Sequence, residues 1–167
     1  MRGICQSEAL ILIQLPLAKR KCFILFLQRV IIGAKKRGQF AVFRMKRQIR
    51  IKAGSVIASA ELHNTKTADA IWQALPLAGT INTWGEEIYF TIPVEMELED
   101  GQQLVNSGDL GYWPPGSAFC IFFGPTPMSS GTEIRTASPV NIFGNLVDNP
   151  KVFSQLKDGE KIVIERF

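Results

Sequence analysis

Apolar and polar residues alternate over residues 48–52, with Ile49 and Ile51 on one face, and again over 55–62. A period of two predicts two strands, and Ala53-Gly54 between them predicts a tight hairpin. The period then lengthens. Ala68, Ile71, Trp72 and Leu75 fall at i, i+3, i+4 and i+7, which predicts an amphipathic helix opened by the side-chain oxygen of Asn64 or Thr65 and ended by Pro76. Further strands are predicted at 88–92, 110–113, 118–123, 140–147 and 161–167, with a solvated acidic loop at 95–100 and a short helix at 150–156. Many short strands and one long helical pattern predict a mainly β domain, a small closed barrel with one or two short helices. Its centre is the run 108–127, GDLGYWPPGSAFCIFFGPTP, in which two apolar strands flank the rigid turn Pro114-Pro115-Gly116. The second strand is apolar on both faces, so one face is expected to fill the barrel and the other to lie under a helix.

Charge divides the chain where this pattern begins. Residues 1–44 carry nine basic residues and one acid, Glu8, a net +8, whereas residues 45–167 carry ten basic and fourteen acidic residues, a net −4. The overall +4 therefore belongs to the leader and not to the folded domain, which excludes a nucleic-acid-binding reading based on overall charge. The leader's two apolar stretches, 9–17 and 22–34, are separated by Lys19-Arg20-Lys21. Neither reaches the ~20 residues of a membrane-spanning helix, and Lys-Arg-Lys stands where a signal peptidase site would require small residues. The expected organisation is a basic apolar leader over 1–44, read as an upstream extension, and one domain over 45–167. Membrane contact would come only through the leader.

Cys5, Cys22 and Cys120 are odd in number and lack CxxC spacing, which argues against a disulfide framework or a structural zinc site and for a reducing, cytoplasmic compartment. No metal and no cofactor are expected. Cys120, within Phe119-Cys120-Ile121-Phe122-Phe123, reads as a small core hydrophobe. His63 is the only histidine and stands before the helix with no readable partner, which points to a capping or solvent-exposed role. Among the carboxylates, Asp109 beside Gly108 reads as a turn former. Glu87 is more informative, because alternation places it on the same face as Tyr89, opposite Ile88 and Phe90. The segment 124–131 is a stiff and then loose loop suited to rimming a site, and it lacks the Gly-Lys-Ser/Thr ending of a phosphate loop.

The motifs Trp84-Gly85-Glu86-Glu87-Ile88-Tyr89-Phe90, Gly108-Asp109 with Tyr112-Trp113-Pro114-Pro115-Gly116, Phe122-Phe123-Gly124-Pro125-Thr126-Pro127 and Ser138-Pro139-Val140-Asn141 occur in order. With them, residues 45–167 resemble the small bacterial and archaeal cyclophilin-like domain family of uncertain function. The resemblance implies a cyclophilin-like β-barrel. A fainter similarity to true prolyl isomerases runs through 116–121 (GSAFCI) and 140–145 (VNIFGN), and each departure falls on a catalytic position. Ala118 stands for the isomerases' glutamine, Cys120 for their second phenylalanine and Val140 for their pocket histidine. The Phe-His-Arg-Val segment that supplies their arginine has no counterpart in the domain.

Two functions follow as expectations. The first is a binding domain whose apolar groove holds an extended peptide or small apolar ligand, with Glu87, Tyr112, Trp113, Phe119, Phe123, Thr126 and Phe143 as ligand-binding candidates. The alternative is a divergent peptidyl-prolyl isomerase in which Arg135, the best placed cationic donor, serves as the catalytic residue. A prolyl isomerase lowers a rotation barrier of ~18–20 kcal/mol by gripping the ring and donating to the twisted amide nitrogen. A third reading makes the apolar strands an oligomer interface. The oligomeric state is not legible in the sequence.

Overall fold

The chain divides into two units, Met1–Arg44 and Met45–Phe167, and the computed structural model describes residues 47–167. The expected leader lies outside the described residues.

The alternating opening forms β1 (Gln48–Ala53) and β2 (Val56–Leu62), paired antiparallel through a two-residue turn. Ile49 and Ile51 point inward and are fully buried. The helical period forms α1 (Lys66–Ala74), with Thr65 as its N-cap, its hydroxyl accepting from the Ala68 amide. A second device holds this end. Glu99 accepts from the amides of Lys66 and Thr67 and from the Thr67 hydroxyl, which meets otherwise unpaired N–H groups at the positive end of the helix. Those bonds hold the Glu99 carboxyl below its ordinary range. The acidic segment is therefore a tie between loop and helix.

The remaining strands are β3 (Leu77–Thr80), β4 (Asn82–Thr83), β5 (Glu87–Thr91), β6 (Gln102–Val105), β7 (Asp109–Trp113), β8 (Ala118–Phe122), β9 (Ile134–Leu146) and β10 (Lys161–Arg166). They form one antiparallel path, β3-β10-β1-β2-β9-β7-β8-β5-β4, and β6 pairs with β9 off that path. A single 3-10 turn covers Pro114–Gly116, and a short 3-10 helix covers Pro150–Gln155. The mainly β expectation holds, but closure does not. The end strands β3 and β4 are joined in the chain through Ile81, yet no ladder links them, so among the described residues the sheet is open in its hydrogen bonding.

The main core lies on the inner face of this sheet, built from Ile49, Ile51, Phe90, Leu110, Phe119, Phe143, Ile162 and Ile164, with Ile71 of α1 packed in. Phe119 stacks on Phe90 and meets Phe143 edge-on. The opposite face of β8 carries a second, smaller apolar cluster of Val105, Ala118, Cys120, Phe122, Ile134 and Val140. Among the described residues no helix covers it, contrary to the expectation. The cover is β6 with the first half of β9, which the alternation of 134–139 does not announce. Gly111 makes room for this layer, because a Cβ there would meet the Phe122 ring at 2.8 Å.

Candidate functional site

The second layer is not completely filled. Gln102 of β6 pairs with Val140 and Leu104 with Arg135, so two steps along β6 face five along β9 and three residues of β9 are looped out. Pro139 lies in this stretch and has no N–H to give to a ladder. Thr136 stabilises the distortion by donating to the carbonyls of Ser138 and Gln103. Beneath the bulge is a cavity of about 240 Å³, lined by Trp84, Glu87, Tyr89, Trp113, Thr136, Ala137 and Val140. Ligand sites for drug-sized molecules run about 300–1,000 Å³. This one suits a single functional group or side chain.

Each wall has a local cause. Glu87 and Tyr89 share a face of β5 because successive side chains of a strand alternate, and Ile88 and Phe90 enter the main core. Trp84 is held by a tight turn in which its amide donates to the Glu87 carbonyl. The turn passes through Gly85 at φ 65°, where a Cβ would also lie 2.8 Å from the Pro125 carbonyl oxygen. Trp113 ends β7, and its indole N–H donates to the Ser138 hydroxyl at 2.7 Å.

Among the described residues Glu87 is the one charged group in the lining, and it is only 7% exposed. Burial disfavours its carboxylate form and raises its pKa to about 7, opposed in part by a hydrogen bond from Cys120. The Cys120 thiol is pushed up in turn, first by its own burial and then by Glu87. A thiol of raised pKa is a weak donor and a poor nucleophile. Cys120 is thus a buried neighbour that supports the carboxyl. The cavity offers one ionisable oxygen pair poised near neutrality among three aromatic side chains. Among the described residues no group of His, Cys, Asp and Glu side chains could hold a metal ion.

The other residues singled out in the sequence are distributed elsewhere. Phe119, Phe143 and Phe123 belong to the main core. Tyr112 is fully buried, and its hydroxyl donates to the Val94 carbonyl and accepts from the Met96 amide. Thr126 is buried and ties the 124–131 loop to β9, donating to the Arg135 carbonyl and accepting from the Met128 amide. The Arg135 guanidinium is paired with Glu133 at 2.9 Å and is not among the lining residues. Of the candidates, then, Glu87 and Trp113 meet at the cavity.

His63 has a partner that the sequence did not disclose. Its ring nitrogen is hydrogen-bonded to the Asn145 side chain, which donates to Asp109. Asp109 also accepts from the Asn106 amide, as a turn former does. Tyr89 was legible as a lining residue from alternation, whereas Thr136 and Ala137 reach the cavity only through the bulge.

Fold and cavity together define a mainly β domain with a small lateral pocket on the outer face of its sheet. Residues 47–165 match the family described as Cyclophilin-like, and the chain belongs to that family. Among solved structures it is similar to the hypothetical protein AF2241 from Archaeoglobus fulgidus, determined in solution, at 39% identity and a TM-score of 0.64. That match covers 78% of this chain and 100% of the archaeal one. No curated protein matches the chain. No helix of the described residues is long and apolar enough to cross a membrane.

Proposed function

We propose that this domain is a binding module, and that its ligand places one small group in the cavity between β5, β7 and the bulge of β9. The observation that carries this reading is Glu87, a buried carboxyl held at the wall of an aromatic-lined, half-open space instead of being packed away or ion-paired. Burying an acid is costly, and a sequence that needed only a packed second layer would fare better with an apolar residue there. Arg135, the donor that the isomerase reading requires, supports binding over isomerisation, because its guanidinium is held by Glu133.

The test is a fragment set titrated into the isotope-labelled full chain, read at the indole N–H resonances of Trp84 and Trp113. Saturable shifts at both, abolished by Ala137→Trp, are expected. Shifts confined to other surfaces would overturn the assignment of the site.

A further inference from the structure

We infer that the group this cavity takes is a small organic cation, an ammonium or methylated ammonium, with its charge met by Glu87 and its carbon atoms set against Trp84, Tyr89 and Trp113. The inference deepens the binding reading and rests on it.

Three observations converge. First, the other acids considered already have partners. Glu133 is paired with Arg135 and Glu86 with Lys151, while Asp109 is met by amide donors. Glu87 is the buried exception, with the Cys120 thiol beside it and no cationic side chain of the described residues paired to it. Second, the walls are three aromatic residues, and an aromatic face attracts a cation, more strongly where water is excluded. An organic ammonium is the ligand class that uses both features at once, its apolar carbons resting on the rings and its charge on the carboxylate. A wholly apolar ligand would leave the Glu87 oxygens facing hydrocarbon, and an anion would be repelled. Third, residues 45–167, which hold the cavity, carry a net −4 although the whole chain carries +4, and a local charge of that sign favours approach of cations.

The size agrees. A cavity of about 240 Å³ holds a headgroup rather than a large molecule.

Burial keeps Glu87 largely protonated below its pKa of about 7, and a bound cation favours the charged form. Binding near neutral pH therefore releases a proton from the carboxyl to solvent. Among the described residues the titratable groups packed near it are few. β8 presents Cys120, whose thiol stays protonated, and β5 presents Tyr89, while β7 and β9 contribute Trp113, Thr136 and Val140, which do not titrate in this range. The adjoining turn carries Glu86, already paired with Lys151.

The experiment compares choline with its uncharged isostere 3,3-dimethylbutan-1-ol on the full chain, by calorimetry in buffers of different ionisation enthalpy and by the two indole resonances. Choline is expected to bind roughly tenfold or more tighter than the alcohol, to tighten from about pH 6 to about pH 8 as Glu87 ionises, and to release a proton near pH 7. Glu87→Gln should remove most of that preference. The wild-type pH profile and proton release test the same point should the variant fail to fold. Equal binding of alcohol and choline, or choline binding indifferent to pH and to Glu87→Gln, would overturn the cation assignment and leave the binding module standing with a neutral ligand. Shifts from neither compound would overturn the cation assignment too, and the fragment titration then decides the binding reading separately.

Discussion

β8 builds two apolar layers that differ in kind. Phe119 and Ile121 face a main core of buried side chains in which Phe119 packs against both Phe90 and Phe143. Ala118, Cys120 and Phe122 face a thin outer layer covered by β6 and half of β9, where a bulge leaves a cavity and a carboxyl lies buried. The first layer is what a folding chain needs, dense contact and no polar atom without a partner. The second gives up packing and desolvates an acid. Tolerating such a local cost on a rigid scaffold is how binding sites commonly arise.

The contrast can be broken most forcefully from the inner side. Phe119→Ala removes a ring that is 0% exposed and should cost about 3–5 kcal/mol of stability, seen as a lowered urea midpoint. The same truncation at an outer-layer position would cost less, since that layer already holds space.

On the outer side the expected sign reverses. The Glu87 pKa of about 7 lies above the ordinary value of 4.5, so the folded state holds its proton more tightly than the unfolded state does. That contribution is intact below about pH 4.5 and is lost as pH rises through about 7. Glu87→Gln should therefore stabilise the protein by up to about 3 kcal/mol at alkaline pH, with the gain shrinking towards pH 5. Urea melts across pH measure it directly, and a gain independent of pH would mean that the carboxyl is not the cause.

Gly85→Ala examines the rim. A residue with a Cβ at φ 65°, 2.8 Å from the Pro125 carbonyl oxygen, should cost about 1–2 kcal/mol and displace Trp84, read as a shift of its indole resonance with the main core unaltered. The smallest effect is expected from Arg135→Ala. Its ion pair with Glu133 is about one-third exposed on each side, so the loss should stay within about 1 kcal/mol and the cavity should bind as before. A collapse of binding in that variant would move the site towards β9's outer edge.

How much of this was legible follows from the range of the forces involved. Strands β1 and β2 and helix α1 were readable because a period of two or 3.6 is written into neighbouring residues, and β7 and β8 because they are apolar runs flanking the Pro114-Pro115-Gly116 turn. β3 and β4 were not, since Leu77–Thr80 and Asn82–Thr83 are short and polar enough to be loops by composition, and only pairing with β10 and β5 makes them strands. The first half of β9 escaped for the same reason. Tyr112 was expected as an aromatic wall and Thr126 as part of a loop rimming the site, and in the structure each hydroxyl is committed to backbone atoms distant in sequence.

What the sequence by itself determined is the mainly β character, the family, and the placement of Glu87 with Tyr89 on one face of β5, since alternation and motif are local properties. The tertiary structure alone decided that this face is covered by β6 and β9, that three residues of β9 loop out, and that Glu87 is thereby desolvated beside Cys120 and three aromatic residues. A pKa and a cavity depend on what arrives from elsewhere in the chain, and no local pattern of residues carries that information.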